Sequence, residues 1–173
     1  MRMLKGLGVI LGSILSAATV FAASQTYTNT KYLYSVDHPD NWRVKEISSA
    51  VSFLSPMESK EDKFAENVDI VVEDLSQAGD VSLLDYHRKA TGHAPLTLKD
   101  FKILEEAKTE LVGHEAIAVL YTAVVKGELF RFKAYTLLAG KEAYVLTYKG
   151  MGEDFDKYLP VGEKIMRSLR VSP

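Results

Sequence analysis

The sequence predicts an α+β domain in which a central antiparallel sheet is flanked by helices on both faces, an α-β-α sandwich. Three observations predict it. Strand-like runs at 116–125, 129–138 and 143–148 are separated by Lys126-Gly127 and Gly140-Lys141, dipeptides suited to tight hairpin turns. The first run is apolar on both faces, with Ala116, Ala118, Leu120 and Val124 on one and Ile117, Val119 and Val125 on the other. It therefore needs cover on both sides. Two amphipathic stretches, at 80–91 and 155–169, can supply that cover.

From the N-terminus, Arg2 and Lys5 precede an uncharged, mostly apolar run, and Val20-Phe21-Ala22 offers small residues at the −3 and −1 positions. Residues 1–22 read as a signal peptide cleaved before Ala23, with an exported, periplasmic or extracellular destination. Gly8, Gly12, Ser13 and Ser16 interrupt the run, which is shorter than the roughly 20 strongly apolar residues a membrane span prefers. No stable span is expected after cleavage, and residues 23–173 read as a single domain.

Residues 31–36 alternate, with Tyr32, Tyr34 and Val36 on one side, as a strand does. Asp37-His38-Pro39-Asp40-Asn41 is dense turn chemistry, and Trp42 opens a second strand to residue 47. A third strand covers 51–54. A charged loop, 57–66, leads to a fourth, in which Val68, Ile70 and Val72 alternate with polar residues. Asp80 is placed to cap a helix whose apolar face carries Leu83, Leu84, His87 and Ala90, and Gly92 and Pro95 are expected to end it. Phe101, Ile103, Ala107 and Leu111 are expected on one side of the next strand. The closing stripe is Phe155, Tyr158, Leu159, Ile165, Met166 and Leu169, with the helix proper expected from about Leu159 because Pro160 fits a first turn.

Composition excludes several functions. Hydrophobic residues make up 47% and charged residues 25%, ordinary for a folded domain. Removing Arg2 and Lys5 with residues 1–22 leaves 19 basic against 23 acidic residues, a net charge of −4, which argues against nucleic acid as a partner. There is no cysteine, so disulfides, thiolate metal sites, a cysteine nucleophile and lipoprotein acylation are all excluded.

Four segments in this order resemble the PsbP-like family, best known from the extrinsic lumenal subunit of photosystem II. They are Tyr34-Ser35-Val36-Asp37-His38-Pro39-Asp40-Asn41-Trp42, Phe64-Ala65-Glu66-Asn67-Val68-Asp69-Ile70, Lys141-Glu142-Ala143-Tyr144-Val145-Leu146-Thr147-Tyr148, and the closing stripe 155–169. The fold of that family is shared by a Ran-binding nuclear import factor and by many exported bacterial proteins. The resemblance implies a central antiparallel sheet flanked by helices and non-enzymatic work in a protein assembly.

Catalytic signals are sparse. No G-x-S-x-G elbow and no phosphate-binding glycine loop occurs in the mature region. His38, His87, His93 and His114 include no pair at i, i+4 spacing. Asp37, His38 and Asp40 share one turn and form a weak divalent-metal candidate, set against the commoner hydrogen-bonded turn. His87 reads as a packed helix histidine. If both late turns hold two residues, Leu120 opposes Lys133, Lys133 opposes Tyr148, Thr122 opposes Arg131 and Tyr135 opposes Leu146. Arg131, Lys133, Tyr135 and Tyr148 then share one face. Packing alone favours long stems that pass a helix and pair with carboxylates. The sharper reading, carried forward as the candidate site, is an exposed patch for an anionic group of a partner or ligand.

The expected function is an exported, non-enzymatic domain that binds an unidentified protein partner or assembly and needs no cofactor. The alternative is a small-molecule or divalent-metal carrier, with a hydrolase ranked last.

Overall fold

The structure, a computed structural model, describes residues 23–172, so the signal-peptide reading lies outside the described residues. Seven strands form an antiparallel sheet: β3 (Arg43–Ile47), β4 (Ala50–Leu54), β5 (Asn67–Asp74), β9 (Glu142–Met151), β8 (Glu128–Ala139), β7 (His114–Val125) and β6 (Lys99–Leu111), in that spatial order. A second, three-stranded sheet is made by β1 (Ser24–Asn29), β2 (Tyr34–Pro39) and β10 (Arg170–Val171), with β2 central. Helix α1 (Leu83–Thr97) joins β5 to β6, and α2 (Asp154–Arg167) joins β9 to β10.

The late hairpins have the register the turns demand. Leu120 pairs with Lys133, Thr122 with Arg131, Lys133 with Tyr148 and Tyr135 with Leu146. Both residues of the Lys126-Gly127 turn have positive φ, +54° and +90°, the twist of a type I′ hairpin. The same chemistry recurs at Val112-Gly113 between β6 and β7.

One sheet face packs against α2 and the small sheet. Its core includes Phe53, Ile70, Tyr144, Leu146 and Tyr148 against Tyr34, Val36, Phe155, Ile165 and Met166. The other face packs against α1, which lies mainly over β6, β7 and β8. A separate cluster there gathers Ala123, Phe130 and Phe132 with Phe64, Leu98, Tyr121, Val125 and Met151. Helices on both faces match the expected sandwich.

Several elements differ from expectation. The helix α1 is capped by Ser82, whose hydroxyl accepts from the Asp85 N–H at 3.1 Å, rather than by Asp80. It also runs through Gly92 and Pro95 to Thr97, because Pro95 sits near the end and forfeits a single backbone bond. Helix α2 begins at Asp154, a turn and a half before Pro160. Glu153 and Asp154 stand at its N-terminus and Lys164 and Arg167 in its last turn, in keeping with the helix dipole. In β6 two register shifts, at Lys99/Lys102 and Ile103/Glu105, move the side chains between faces. Phe101 therefore meets Tyr121 on the α1 side, whereas Leu111 joins the core under α2. Strand β1 was not foreseen.

Candidate functional site

The four residues expected to form an exposed patch do share one face, but α2 covers them. Tyr148 is fully buried, and its hydroxyl donates to the Phe155 carbonyl at 3.0 Å. Tyr135 is 3% exposed and donates to Glu163 at 2.8 Å, while Arg167 donates to the Tyr135 hydroxyl at 2.9 Å. Burial, then Glu163, pushes the Tyr135 phenol up to about 12. Arg131 lies 4.2 Å over the Phe155 ring and donates to Asp156 at 2.7 Å. Lys133 is half-buried, and although it pairs with Tyr148 its ammonium lies 5.7 Å from the Tyr135 ring. The Arg131 stem thus passes beneath a helix whose Asp156 takes up its charge, whereas Lys133 makes only the aromatic contact among the described residues.

The candidate metal residues are likewise separated. Adjacent strand residues point to opposite faces, and all but Asp40 of this group lie in β2. His38 turns inward, 3% exposed, with its ring 5.0 Å from Phe53 and Nδ1 2.8 Å from the Pro39 carbonyl. Asp37 turns outward and accepts two hydrogen bonds from Arg170, at 2.7 and 2.8 Å, and one from Thr26. The Arg170 hydrogen bonds hold its carboxyl well below the usual range, at about 2. Asp40 is exposed in the turn. Among the described residues no group of three or more His, Cys, Asp or Glu side chains is arranged to hold a metal ion.

His87 is buried on α1, with Nε2 3.2 Å from Glu106 and no partner at Nδ1. It borders a cleft of about 170 Å³ between α1 and the sheet that also carries Thr91, Thr136 and Thr147. Among the described residues no nucleophile is hydrogen-bonded to the ring. His93 lies on the exposed side of α1, and His114 opens β7.

Two features of the α1 side were missed in the sequence. The first is an uncovered half-face. Helix α1 lies over β6–β8 and reaches β5 at Tyr86, whose hydroxyl donates to Glu73 at 2.8 Å. The registers place Arg43, Lys45 and Ile47 of β3 beside Ser52, Leu54, Asp69 and Val71 on the same face. Ile47 is 56% and Val71 39% exposed. The second feature is a row of aromatic rings: Phe101 to Tyr121 at 5.2 Å, Tyr121 stacked on Phe132 at 4.6 Å, then Phe130 and Phe64. Burial, then Asp69, pushes the Tyr121 phenol up to about 12. The row was readable once Tyr121, Phe132 and Phe130 were placed by the same hairpin registers that placed Arg131.

A seven-stranded antiparallel sheet, a small three-stranded sheet and two helices in this order define the Mog1/PsbP-like fold, and the chain adopts it. The solved structures it resembles include the cyanobacterial PsbP, CyanoP, from Synechocystis (15% identity, 94% of this chain and 99% of that one, TM-score 0.64). PA94 from Pseudomonas aeruginosa, a protein of unknown function, aligns at 20% identity over 87% of this chain and 98% of its own (TM-score 0.64). The Ran-binding protein Mog1p of Saccharomyces cerevisiae aligns at 8% identity over 86% and 95% (TM-score 0.56). No family model matches the chain, and no curated protein sequence matches it closely enough to count as a relative. At these identities the likeness extends to the fold. Of the three, one is described as of unknown function and one as Ran-binding, and none is described as an enzyme. Among the described residues no helix is long and apolar enough to cross a membrane.

Proposed function

We propose that the protein is an exported, non-enzymatic accessory domain that docks a protein partner on the uncovered half of its α1-side face. The observation that carries this reading is that half-face itself. Ile47 and Val71 expose apolar surface beside Arg43 and Lys45, and neither cation has a carboxylate within 4 Å among the described residues. Apolar surface rimmed by unpaired cations suits a partner that presents apolar and acidic side chains together. A net charge of −4 after removal of residues 1–22 makes a local excess of cations a feature of placement rather than composition.

Delivery rests on residues 1–22 acting as a cleaved signal peptide, motivated by Arg2, Lys5 and Val20-Phe21-Ala22. The intact mass of the protein from its native host should correspond to a chain starting near Ala23, and a membrane-embedded full-length species refutes this. Docking is tested with Lys45→Glu plus Ile47→Asp, both at exposed positions, against Lys102→Glu on the exposed β6 edge. The first variant should lose crosslinked partners from the exported fraction while melting as the wild type does, and the second should keep them. Equal capture by both variants overturns the docking face.

A further inference from the structure

Past the last turn of α1, the aromatic row ends in a pocket of about 260 Å³ lined by Lys63, Phe64, Lys126, Phe130, Lys149 and Met151, among others. Three elements converge there. Strand β9 supplies Lys149, opposite Phe132, and Met151, opposite Phe130. The β7–β8 turn supplies Lys126, and the loop before β5 supplies Lys63 and Phe64. Phe64 packs edge-on against Phe130, with ring centroids 4.8 Å apart at 70°.

Lys149 is the unusual member. It is half-buried, and its ammonium lies 4.9 Å from the Phe64 centroid and 5.5 Å from that of Phe130. No carboxylate comes within 4 Å of it among the described residues. Of the acidic residues around it, Asp69 accepts a hydrogen bond from Ser52 and Glu128 lines the pocket at the exposed start of β8 without an ion pair to the lysine. Burial lowers the Lys149 pKa, with the Asp69 charge opposing this and Lys126 adding to it, so the desolvation of the ammonium is only partly offset. Ring faces offset part of that cost without accepting a hydrogen bond of the conventional kind, and among the described residues no hydrogen-bond acceptor is paired with the ammonium. Arg131, on the other sheet face, has the same aromatic contact but also has Asp156.

The pocket therefore offers a partly desolvated cation, two further lysines set against the single carboxylate of Glu128, and an apolar floor of Phe130, Val125 and Met151. Inorganic anions suit it poorly, because they gain nothing from the floor. Its volume lies just below the range of drug-sized ligand sites, so the occupant is small. We propose that this pocket binds a small amphiphilic carboxylate, with the anion on Lys149 and an apolar body of about six to eight carbons on the aromatic floor. The site goes beyond the docking face, and its occupancy is measured without any protein partner.

The test is calorimetric titration of the full protein with octanoate, benzoate, octylamine and inorganic phosphate, paired with NMR of the Met151 methyl group. Octanoate and benzoate should bind, while octylamine and phosphate bind at least about tenfold more weakly. The variant Lys149→Met keeps an apolar stem of similar volume and should lose about tenfold or more in octanoate affinity without melting lower. Lys126→Ala, at an exposed turn, provides a second variant and should lose a smaller, salt-sensitive part. The Met151 methyl resonance should move with octanoate in the wild type. The proposal is overturned if octanoate gives neither heat nor a Met151 shift at about 10 mM, if phosphate binds as well as octanoate, or if Lys149→Met binds as the wild type does.

Discussion

Replacing Gly162 by alanine should destabilise the protein, although it puts a better helix former into the interior of α2. By propensity alone the exchange favours the helix by about 1 kcal/mol. Gly162 is buried against Tyr148, and an added Cβ would stand 2.5 Å from Cδ2 and 2.8 Å from Cγ of that ring. These atoms belong to the ring body rather than to a flexible tip. The ring cannot swing away, because it is fully buried and anchored through its hydroxyl to the Phe155 carbonyl. Overpacking costs about 1–3 kcal/mol, and a 2.5 Å contact with the body of a fixed ring places this case in the upper part of that range, so the cost exceeds the propensity gain and a net loss of about 1–2 kcal/mol is expected. Gly92 is the matched control. It lies in the interior of α1, is exposed, and an added Cβ meets nothing within 4 Å. Gly92→Ala should therefore gain about 1 kcal/mol. At roughly 2–4 °C per kcal/mol for a chain of this size, thermal melts of the two variants should move in opposite directions. In a Tyr148→Leu background the cost of Gly162→Ala should shrink, because the two sites share one contact. A Gly162→Ala variant that melts at or above the wild type refutes the reasoning.

The remaining predictions concern single contacts. Trp42 is 5% exposed with its ring centroid 6.4 Å from that of Tyr158, so Trp42→Ala should cost about 3–5 kcal/mol in denaturant unfolding; a melt within a few degrees of wild type contradicts this. Arg131→Ala removes an ion pair to an Asp156 that is 66% exposed, together with the contact on Phe155, so the loss should be about 1–2 kcal/mol rather than the larger penalty of a stranded buried charge. Asp37 titrates at about 2 in the folded protein, below its ordinary 3.8, because of Arg170. Its contribution is present above about pH 4 and is lost as pH falls through about 2. With the carboxylate 35% exposed, screening limits it to about 1 kcal/mol, and Asp37→Asn should flatten that part of the acid limb; an unchanged limb counts against the Arg170 pairing.

The legible part of the fold is the part whose register a turn dictates. Two-residue turns leave one way to pair β7, β8 and β9, so Lys133 opposite Tyr148 followed from counting residues. What counting could not supply was the layer above. The alternation that puts Arg131 and Tyr135 on one face does not say that Asp156 and Glu163 will arrive over them, because that depends on where α2 starts. Pro160 suggested a later start than the Asp154 the helix adopts. Strand β1 was hidden because its six residues are polar and mostly exposed, held by pairing with β2 rather than by burial. The β6 bulges defeat any reading that assumes a period of two. Lys149 was overlooked for a different reason. Its neighbours Phe132 and Met151 were available from register, but Phe64 and Lys63 come from a charged loop with no periodic signal.

The two sheet faces show how the same pattern of cations gives opposite outcomes. Strands β8 and β9 each carry lysine or arginine at inward-facing positions, Arg131 and Lys133 toward α2 and Lys149 toward α1. Over the first face, α2 brings Asp156 and Glu163, and the Arg131 charge is neutralised within the fold at 2.7 Å. Over the second, the acidic residue in the first turn of α1 is Asp85, which bonds to its own N-cap Ser82, and α1 stops short of Lys149. Its last turn holds no acidic residue, only Ala94, Pro95, Leu96 and Thr97. Placing a glutamate at Leu96, which is 79% exposed, would add negative charge at that end of α1 without disturbing the core. If the Lys149 pocket responds to the local electrostatic balance, Leu96→Glu should weaken octanoate binding with a loss that shrinks as salt rises, whereas Leu96→Gln should not. Equal octanoate affinity for the two variants at low salt would show that the end of α1 lies too far from the pocket to shape its field.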